Sequence, residues 1–442
     1  MILIKNGRLM DPASKTDGYR DILIHEGRIA KIGFCGTLDD MAAEAMAYYA
    51  DSDPQGQLCE IDAGGMIVAP GLVDAHVHFR DPGFTKKEDI HTGAEAAKHG
   101  GFTSVVMMGN TEPHMDNPET IRYALEKGME TGIRVFTCAN ITMGMNGNEL
   151  TDMEGLLKEG AVLFTDDGKP ITDENIMRKA CLESARLGKV LSLHEENPEF
   201  ITDNGINAGE AAELQGLKGS PREAEISMVK RDIEIAGETG AHITIQHIST
   251  KEAVDMVREA RKTNPRIHAE ATPHHFTLTD DAVREWGTMA KMNPPLRKEE
   301  DRLAIIEGLA DGTIETIATD HAPHTAEEKA AEFSKAPSGI IGLETSLGLG
   351  IRELVQKGHL DLMTLLSRMT YQVANIYELG AVGRIFEGGP ADLVIFSENE
   401  TRKVGEKFAS KASNSPFIGQ ELPGKIYYTI CGGRVYDINS NS

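Results

Sequence analysis

The chain has 442 residues, 40% of them hydrophobic and 26% charged, ordinary values for a soluble globular enzyme with room for a sizeable core. A formal net charge of -24 disfavours non-specific binding to nucleic acid or to an anionic membrane surface, so an anionic substrate needs a local positive site. The longest apolar stretches, such as Met66 to Val73, are broken by Pro70, Gly71 and Asp74 well short of the ~20 residues that span a bilayer, which excludes a membrane-spanning helix there.

The opening residues lack a basic segment followed by an apolar run, so no secretory signal is visible and a cytoplasmic location is expected. Short strands are predicted at Met1 to Ile4, with a turn near Asn6-Gly7, then at Tyr19 to Ile24 and Arg28 to Ile32 around Glu26-Gly27. Leu38 to Leu58 carries no candidate ligand and reads as a surface helix and loop. From Ala69 the texture changes to alternating strand and helix patterns. Candidate strands follow at Leu72 to His78, Ser104 to Met108, Arg134 to Cys138, Ala161 to Thr165, Val190 to His194, His242 to His247, Arg266 to Glu270 and Glu315 to Asp320. These suit a (β/α)8 barrel. After Gly380 the chain returns to β-type pieces, Ala391 to Phe396, Lys425 to Ile430 and Arg434 to Asp437, the last two joined at Gly432-Gly433. The expected class is therefore α/β: a barrel over 68–383, and a small β-sandwich domain assembled from 1–67 and 384–442. The cysteines, Cys35, Cys59, Cys138, Cys181 and Cys431, show no C-x-x-C spacing and read as reduced, mostly buried thiols.

The chemistry concentrates at the ends of the predicted barrel strands. In Asp74-Ala75-His76-Val77-His78-Phe79-Arg80 the period-two geometry of a strand turns His76 and His78 to one side, a ready metal chelate. His194 and His247 each close a strand, on the rim where catalytic groups of such barrels gather. His242 has the opposite parity from His247, and a structural role is expected for it. The last strand ends in Asp320-His321-Ala322-Pro323-His324, where Asp320 can bind metal and exchange a proton, His321 points the other way, and His324 lies in the loop beyond. Two divalent ions held by four imidazoles need a bridging anion. The segment Phe164-Thr165-Asp166-Asp167-Gly168-Lys169 offers Asp166, Asp167 or a carboxylated Lys169.

These residues resemble the amidohydrolase superfamily, and more narrowly the bacterial dihydroorotases whose bridging ligand is an aspartate. The match runs through Asp74 to Gly83, Gly100-Gly101-Phe102-Thr103, Asn110-Thr111, Phe164 to Gly168, His194-Glu195-Glu196-Asn197, Gln246-His247-Ile248-Ser249, Met292-Asn293-Pro294-Pro295-Leu296-Arg297 and Asp320 to His324. The resemblance implies two zinc ions per subunit at full occupancy: His76, His78 and Asp320 on one, His194 and His247 on the other, and Asp167 between them. It further implies that His78, Arg80, Asn110, Asn293, His324, Ser338 and Gly339 hold a small substrate, N-carbamoyl-aspartate or dihydroorotate. Asp320 would move the proton between the attacking water and the departing ring nitrogen. A homodimer is expected, with aspartate transcarbamoylase as a further partner that some relatives have. Gly109 departs from the family's usual proline before Asn110-Thr111, and Leu38 to Leu58 is longer than the usual compact turn.

Two other functions fit part of the pattern. Hydantoinases, dihydropyrimidinases and allantoinases share the barrel and the His-x-His pair but resemble one another in using a carboxylated lysine. A catalytically inactive subunit that only supports a transcarbamoylase would have lost ligands, and none is lost here. His274 and His275 are expected to support rather than to ligate.

Overall fold

The computed structural model describes residues 1–49 and 58–439. Its strands, in chain order, are β1 (Ile2–Asp11), β2 (Thr16–His25), β3 (Arg28–Gly33), β4 (Cys59–Asp62), β5 (Ile67–Pro70), β6 (Leu72–Val77), β7 (Phe102–Met107), β8 (Arg134–Thr137), β9 (Val190–Leu193), β10 (His242–Ile245), β11 (Ile267–Ala271), β12 (Thr316–Ile317), β13 (Leu393–Lys403), β14 (Glu421–Cys431) and β15 (Arg434–Asp437). The two ends of the chain share one sheet, ordered β15-β14-β13-β5-β1-β2-β3 with β4 beside β1. Ile4, Ile22, Ile24, Ile29, Ile61, Leu393, Ile395 and Ile430 make its core.

The middle of the chain builds parallel sheets. Strands β6, β7 and β8 form one, and β9 to β12 form another. Single parallel bridges connect them: Ala139 and Leu191 both meet Phe164, and Val77 meets His321. Every residue of β6, β7, β9 and β11 is buried, as expected where helices cover the outside of a parallel sheet. The helix Pro118–Glu130 illustrates how the cover forms. Asn117 accepts the N–H of Thr120, Pro118 occupies the first turn, where no N–H is needed, and Ile121, Ala124 and Gly128 line the face turned inward.

Several expectations shift. Met1 to Ile4 does not end in a turn: β1 runs on to Asp11, and Asn6-Gly7 is a bulge, with the β2 register jumping between Ile4 and Gly7. Ala161 to Thr165 is not a strand, because only Phe164 makes bridges. Strands β4 and β5 escaped the sequence because each is four residues long and pairs with the distant β1. In the Leu38 to Leu58 segment, Asp39–Tyr49 is a helix whose Ala42, beside Leu38, packs on Leu3 and Leu23. Residues 50–57 of that segment lie outside the described residues. All five cysteines are free thiols, with Cys35 and Cys59 exposed and the other three buried. No helix among the described residues is long and apolar enough to cross a membrane.

Candidate active site

The C-terminal ends of the parallel strands bring their histidines and carboxylates to one point. His76 lies within β6 and His78 just beyond it, with His194 one residue past β9, His247 two past β10 and Asp320 three past β12. Three residues here adopt left-handed backbone: Arg80 (φ 60°), His247 (φ 30°) and Asp320 (φ 47°). Such conformations are costly for residues other than glycine and gather where a chain must aim a side chain rather than continue a strand.

Asp167 stands at the centre. Its Oδ1 lies 3.5 Å from His76 Nε2, 3.5 Å from His194 Nδ1 and 3.6 Å from His247 Nε2, and its Oδ2 is 3.4 Å from His78 Nε2. Burial alone would raise its pKa, yet His76, His194 and His247 hold it well below the usual carboxylate range. Asp320 Oδ1 is 3.0 Å from His78 Nε2 and 3.6 Å from His76 Nε2. Burial again opposes ionisation, and the facing His78, His76 and His247 keep this carboxylate charged. The donor atoms of His76, His78 and Asp320 lie within 4.8 Å of one another, and so do those of His76, Asp167 and His247. His194 joins from the side, Nδ1 3.0 Å from His247 Nε2. His76 thus belongs to both donor sets, whereas the resemblance divides them.

The adjacent candidates separate cleanly. Asp166 turns away and accepts the backbone N–H groups of Ile141 and Thr142 and the Thr142 hydroxyl. Its carboxyl, driven up to about 6 by burial, holds a loop. Lys169 is exposed. His321 accepts the N–H of Gly342 at Nδ1 and meets Glu88 with Nε2, so it is structural. His275 bonds Thr272 and the Pro294 carbonyl, and His242 pairs with His268 at the opposite ends of the strands.

Two further carboxylates hold the imidazoles from behind. Glu270 Oε1 is 2.7 Å from His76 Nδ1, and Glu196 Oε2 is 3.1 Å from His194 Nε2. Asn110 Oδ1 does the same for His78 Nδ1 at 2.9 Å. Each partner accepts the proton of the ring nitrogen it faces and so leaves the other nitrogen, the one turned toward Asp167, a lone pair, the usual arrangement behind a metal-binding histidine. His76 Nε2 has no hydrogen-bond partner despite its burial. A lone pair aimed between two carboxylates and facing other imidazoles fits a divalent ion. The sequence reading missed both glutamates. Their signal was parity: Glu270 sits on β11, and Glu196 follows His194 by two. Replacing Glu270 with glutamine is expected to weaken metal binding by roughly 10–100-fold in competition with a chelator, and unchanged affinity would remove its orienting role.

A cavity of about 210 Å³ opens onto this cluster. Its walls include His78, Arg80, Asn110, Asn293, His324, Ser338 and Gly339, together with Asp167, His194, His247 and Asp320, so the expected substrate contacts share one space. Gly168 and Ala322 also line it and were not expected. No carboxylate among the described residues lies within ion-pair distance of Arg80, whose Nη2 is 3.5 Å from His324 Nε2. Burial first, then Arg80, Lys87 and Lys329, hold His324 neutral, and its Nε2 faces the Ser338 carbonyl at 2.8 Å. Asn293 Nδ2 reaches 3.4 Å from His194 Nε2. The Gly109 departure has a local reason: a Cβ there would stand 2.5 Å from Asn140 Nδ2, which donates to the Thr165 carbonyl ahead of Asp166 and Asp167.

Imidazoles and carboxylates gathered at the ends of parallel strands, with a small polar cavity above them, define a metal-dependent amide hydrolase of the amidohydrolase type. A family described as Dihydro-orotase-like matches residues 65–253. The chain is 52% identical over 435 residues to a dihydroorotase of Clostridioides difficile (strain 630), covering 98% of this chain and 99% of the relative. It is 49% identical to one of Lactococcus lactis subsp. lactis (strain IL1403), covering 98% of each. Among solved structures, the L-hydantoinase (dihydropyrimidinase) of Arthrobacter aurescens superposes with a TM-score of 0.84 at 26% identity, over 98% of this chain and 95% of that one. The chain belongs to the dihydroorotase family.

Proposed function

We propose that this protein is a zinc-dependent dihydroorotase that interconverts N-carbamoyl-L-aspartate and L-dihydroorotate in pyrimidine biosynthesis. The observation that carries the proposal is the single Asp167 carboxylate facing four imidazoles at 3.4 to 3.6 Å. In this assignment His76, His78 and Asp320 would hold one zinc ion and His194 and His247 a second, with Asp167 shared between the two sites. The chemistry such ions supply is Lewis acidity toward an amide carbonyl and toward water.

The chain's own groups do the rest. Asp320 keeps Oδ1 toward His78 and uses Oδ2 to take the proton of the attacking water and pass it to the departing ring nitrogen. In the cyclising direction the same oxygen takes the proton from the ureido nitrogen. Arg80 pairs with the substrate carboxylate in bidentate fashion, which suits a guanidinium that has no carboxylate partner among the described residues. Asn293, His324, Ser338 and Gly339 frame the ring, and Asn110 links His78 to Asp167 at the cavity wall. Arg80→Ala is expected to raise KM by roughly 10–100-fold, the loss of a charge-assisted pair, with metal content unchanged. An unchanged KM would move the carboxylate elsewhere.

The same proposal makes the parallel strands, joined through Phe164 and His321, a (β/α)8 barrel over 68–383. It makes the sheet of 1–67 and 384–442 a small β-sandwich domain. The bridges at both seams and the bulges in β1 and β13 support it. From the resemblance we also infer a homodimer, with aspartate transcarbamoylase as a partner, which light scattering with and without that enzyme tests. The deciding experiment is turnover of dihydroorotate beside dihydrouracil, hydantoin and allantoin by protein whose zinc content is measured on the same sample. Selective opening of dihydroorotate supports the assignment. Preference for hydantoin would favour the activity named for the Arthrobacter structure, and silence at full zinc occupancy would favour a subunit that needs its partner.

A further inference from the structure

Lys291 and Lys329 are nearly inaccessible to solvent, at 5% and 1% exposure, and no carboxylate among the described residues lies within ion-pair distance of either ammonium. Burying an amino group without a counter-ion is expensive: burial lowers the pKa of Lys291 and, with the neighbouring Lys291, brings Lys329 down to about 7, and such a group is kept inside only where several dipoles replace the lost water. Here the dipoles come from one segment. Lys291 Nζ donates to the carbonyls of Phe333 and Ala336, each at 2.7 Å, and Lys329 Nζ donates to those of Pro337 and Gly339, each at 3.0 Å. Residues 333–339 belong to no helix or strand, so their carbonyls have no ladder to satisfy them.

The segment ends on the substrate cavity. Ser338 and Gly339 line it, the Gly339 N–H donates to the Lys291 carbonyl at 2.8 Å, and Lys291 lies two residues before Asn293, which lines the cavity too. Gly339 has φ +104°, and a Cβ there would stand 2.6 Å from the Ala322 Cβ, so only glycine brings the backbone this close. On the far side His324 and Asn414 complete the hold on Ser338 and Gly339.

Resting on the assignment of this cavity to dihydroorotate, we infer that Lys291 and Lys329 are positioning residues, a pair of buried amino-group clamps that fix 333–339 beside the cavity so that Ser338 and Gly339 meet the substrate ring. Neither lysine touches substrate. Each acts through the carbonyls it binds, and the contact so positioned contributes to ground state and transition state alike, which affects KM rather than kcat.

The test compares Lys291→Met and Lys329→Met with the wild-type holoenzyme in dihydroorotate hydrolysis, metal content and amide exchange. Each variant is expected to raise KM by roughly 10–100-fold, the worth of hydrogen bonds from a charged group, with kcat nearly unchanged, metal content intact and faster exchange confined to 333–340. Loss of kcat and metal in step with KM would overturn the inference, because the lysines would then support the metal centre. Faster exchange with unchanged KM would overturn it as well. Should neither lysine variant fold, Pro337→Gly decides: it loosens the same segment without burying anything new, and a raised KM supports the clamp while an unchanged one refutes it. A wild-type protein that does not turn over dihydroorotate at all would refute the function proposed above, a result distinct from any of these.

Discussion

Asp320→Asn is expected to lower kcat by roughly 10²–10⁴-fold, the range over which a positioned proton acceptor and donor contributes. The substitution is a clean one. Asp320 holds φ +47°, a conformation that asparagine tolerates better than most residues, so the backbone beyond β12 keeps its course. The amide oxygen can still stand where Oδ1 stands, 3.0 Å from His78 Nε2, so the cluster keeps an oxygen donor at that position. What is lost is a carboxylate oxygen able to accept a proton and give it back. Steady-state turnover and metal analysis on one preparation check the prediction. Normal turnover with a full metal complement would show that the proton travels through another group, and His324, neutral and on the same cavity, would be the next to examine.

Asp167→Ala is expected to cost more, because it removes the anion on which four imidazoles converge. The imidazoles then face one another with carboxylates only at their margins, Asp320, Glu270 and Glu196. Metal affinity should fall by more than the roughly 10–100-fold that accompanies loss of an orienting partner, and turnover should fall with it. Chelator competition and residual metal after dialysis measure the first effect. The neighbouring Asp166→Ala provides the contrast: that side chain is committed to the Ile141 and Thr142 amides, so its removal should disturb the loop and leave metal content alone. Full metal content in the Asp167 variant, with loss in the Asp166 variant, would reverse the assignment.

Much of the site was legible along the chain, for a reason that particular residues make plain. His76 and His78 share a face because a strand alternates with a period of two, and that period is written locally. His194, His247 and Asp320 were found because each ends a run of β-forming residues. His321 was set aside by the same rule, and its bonds to Gly342 and Glu88 agree. The cavity residues Asn110, Asn293, Ser338 and Gly339 came from motif resemblance rather than from periodicity, since Asn293, Ser338 and Gly339 lie in irregular segments where no period exists.

The sequence by itself therefore determined the alternation of strand and helix, the histidines at the strand ends and the family to which the chain belongs. Residue pattern left Asp166 and Asp167 open, because Phe164 makes only isolated bridges and adjacent residues off a strand have no assured facing, and it is the tertiary structure that turns Asp167, which the resemblance favoured, toward the four imidazoles. It alone brought Glu270 behind His76, 194 positions away in the chain, and joined β4 and β5 to β1. It alone revealed two lysines turned inward to cap the carbonyls of a loop. Local pattern encodes which way a side chain points within an element. Which distant groups share a low-dielectric interior, and so must pair or ionise together, is settled only when the elements pack.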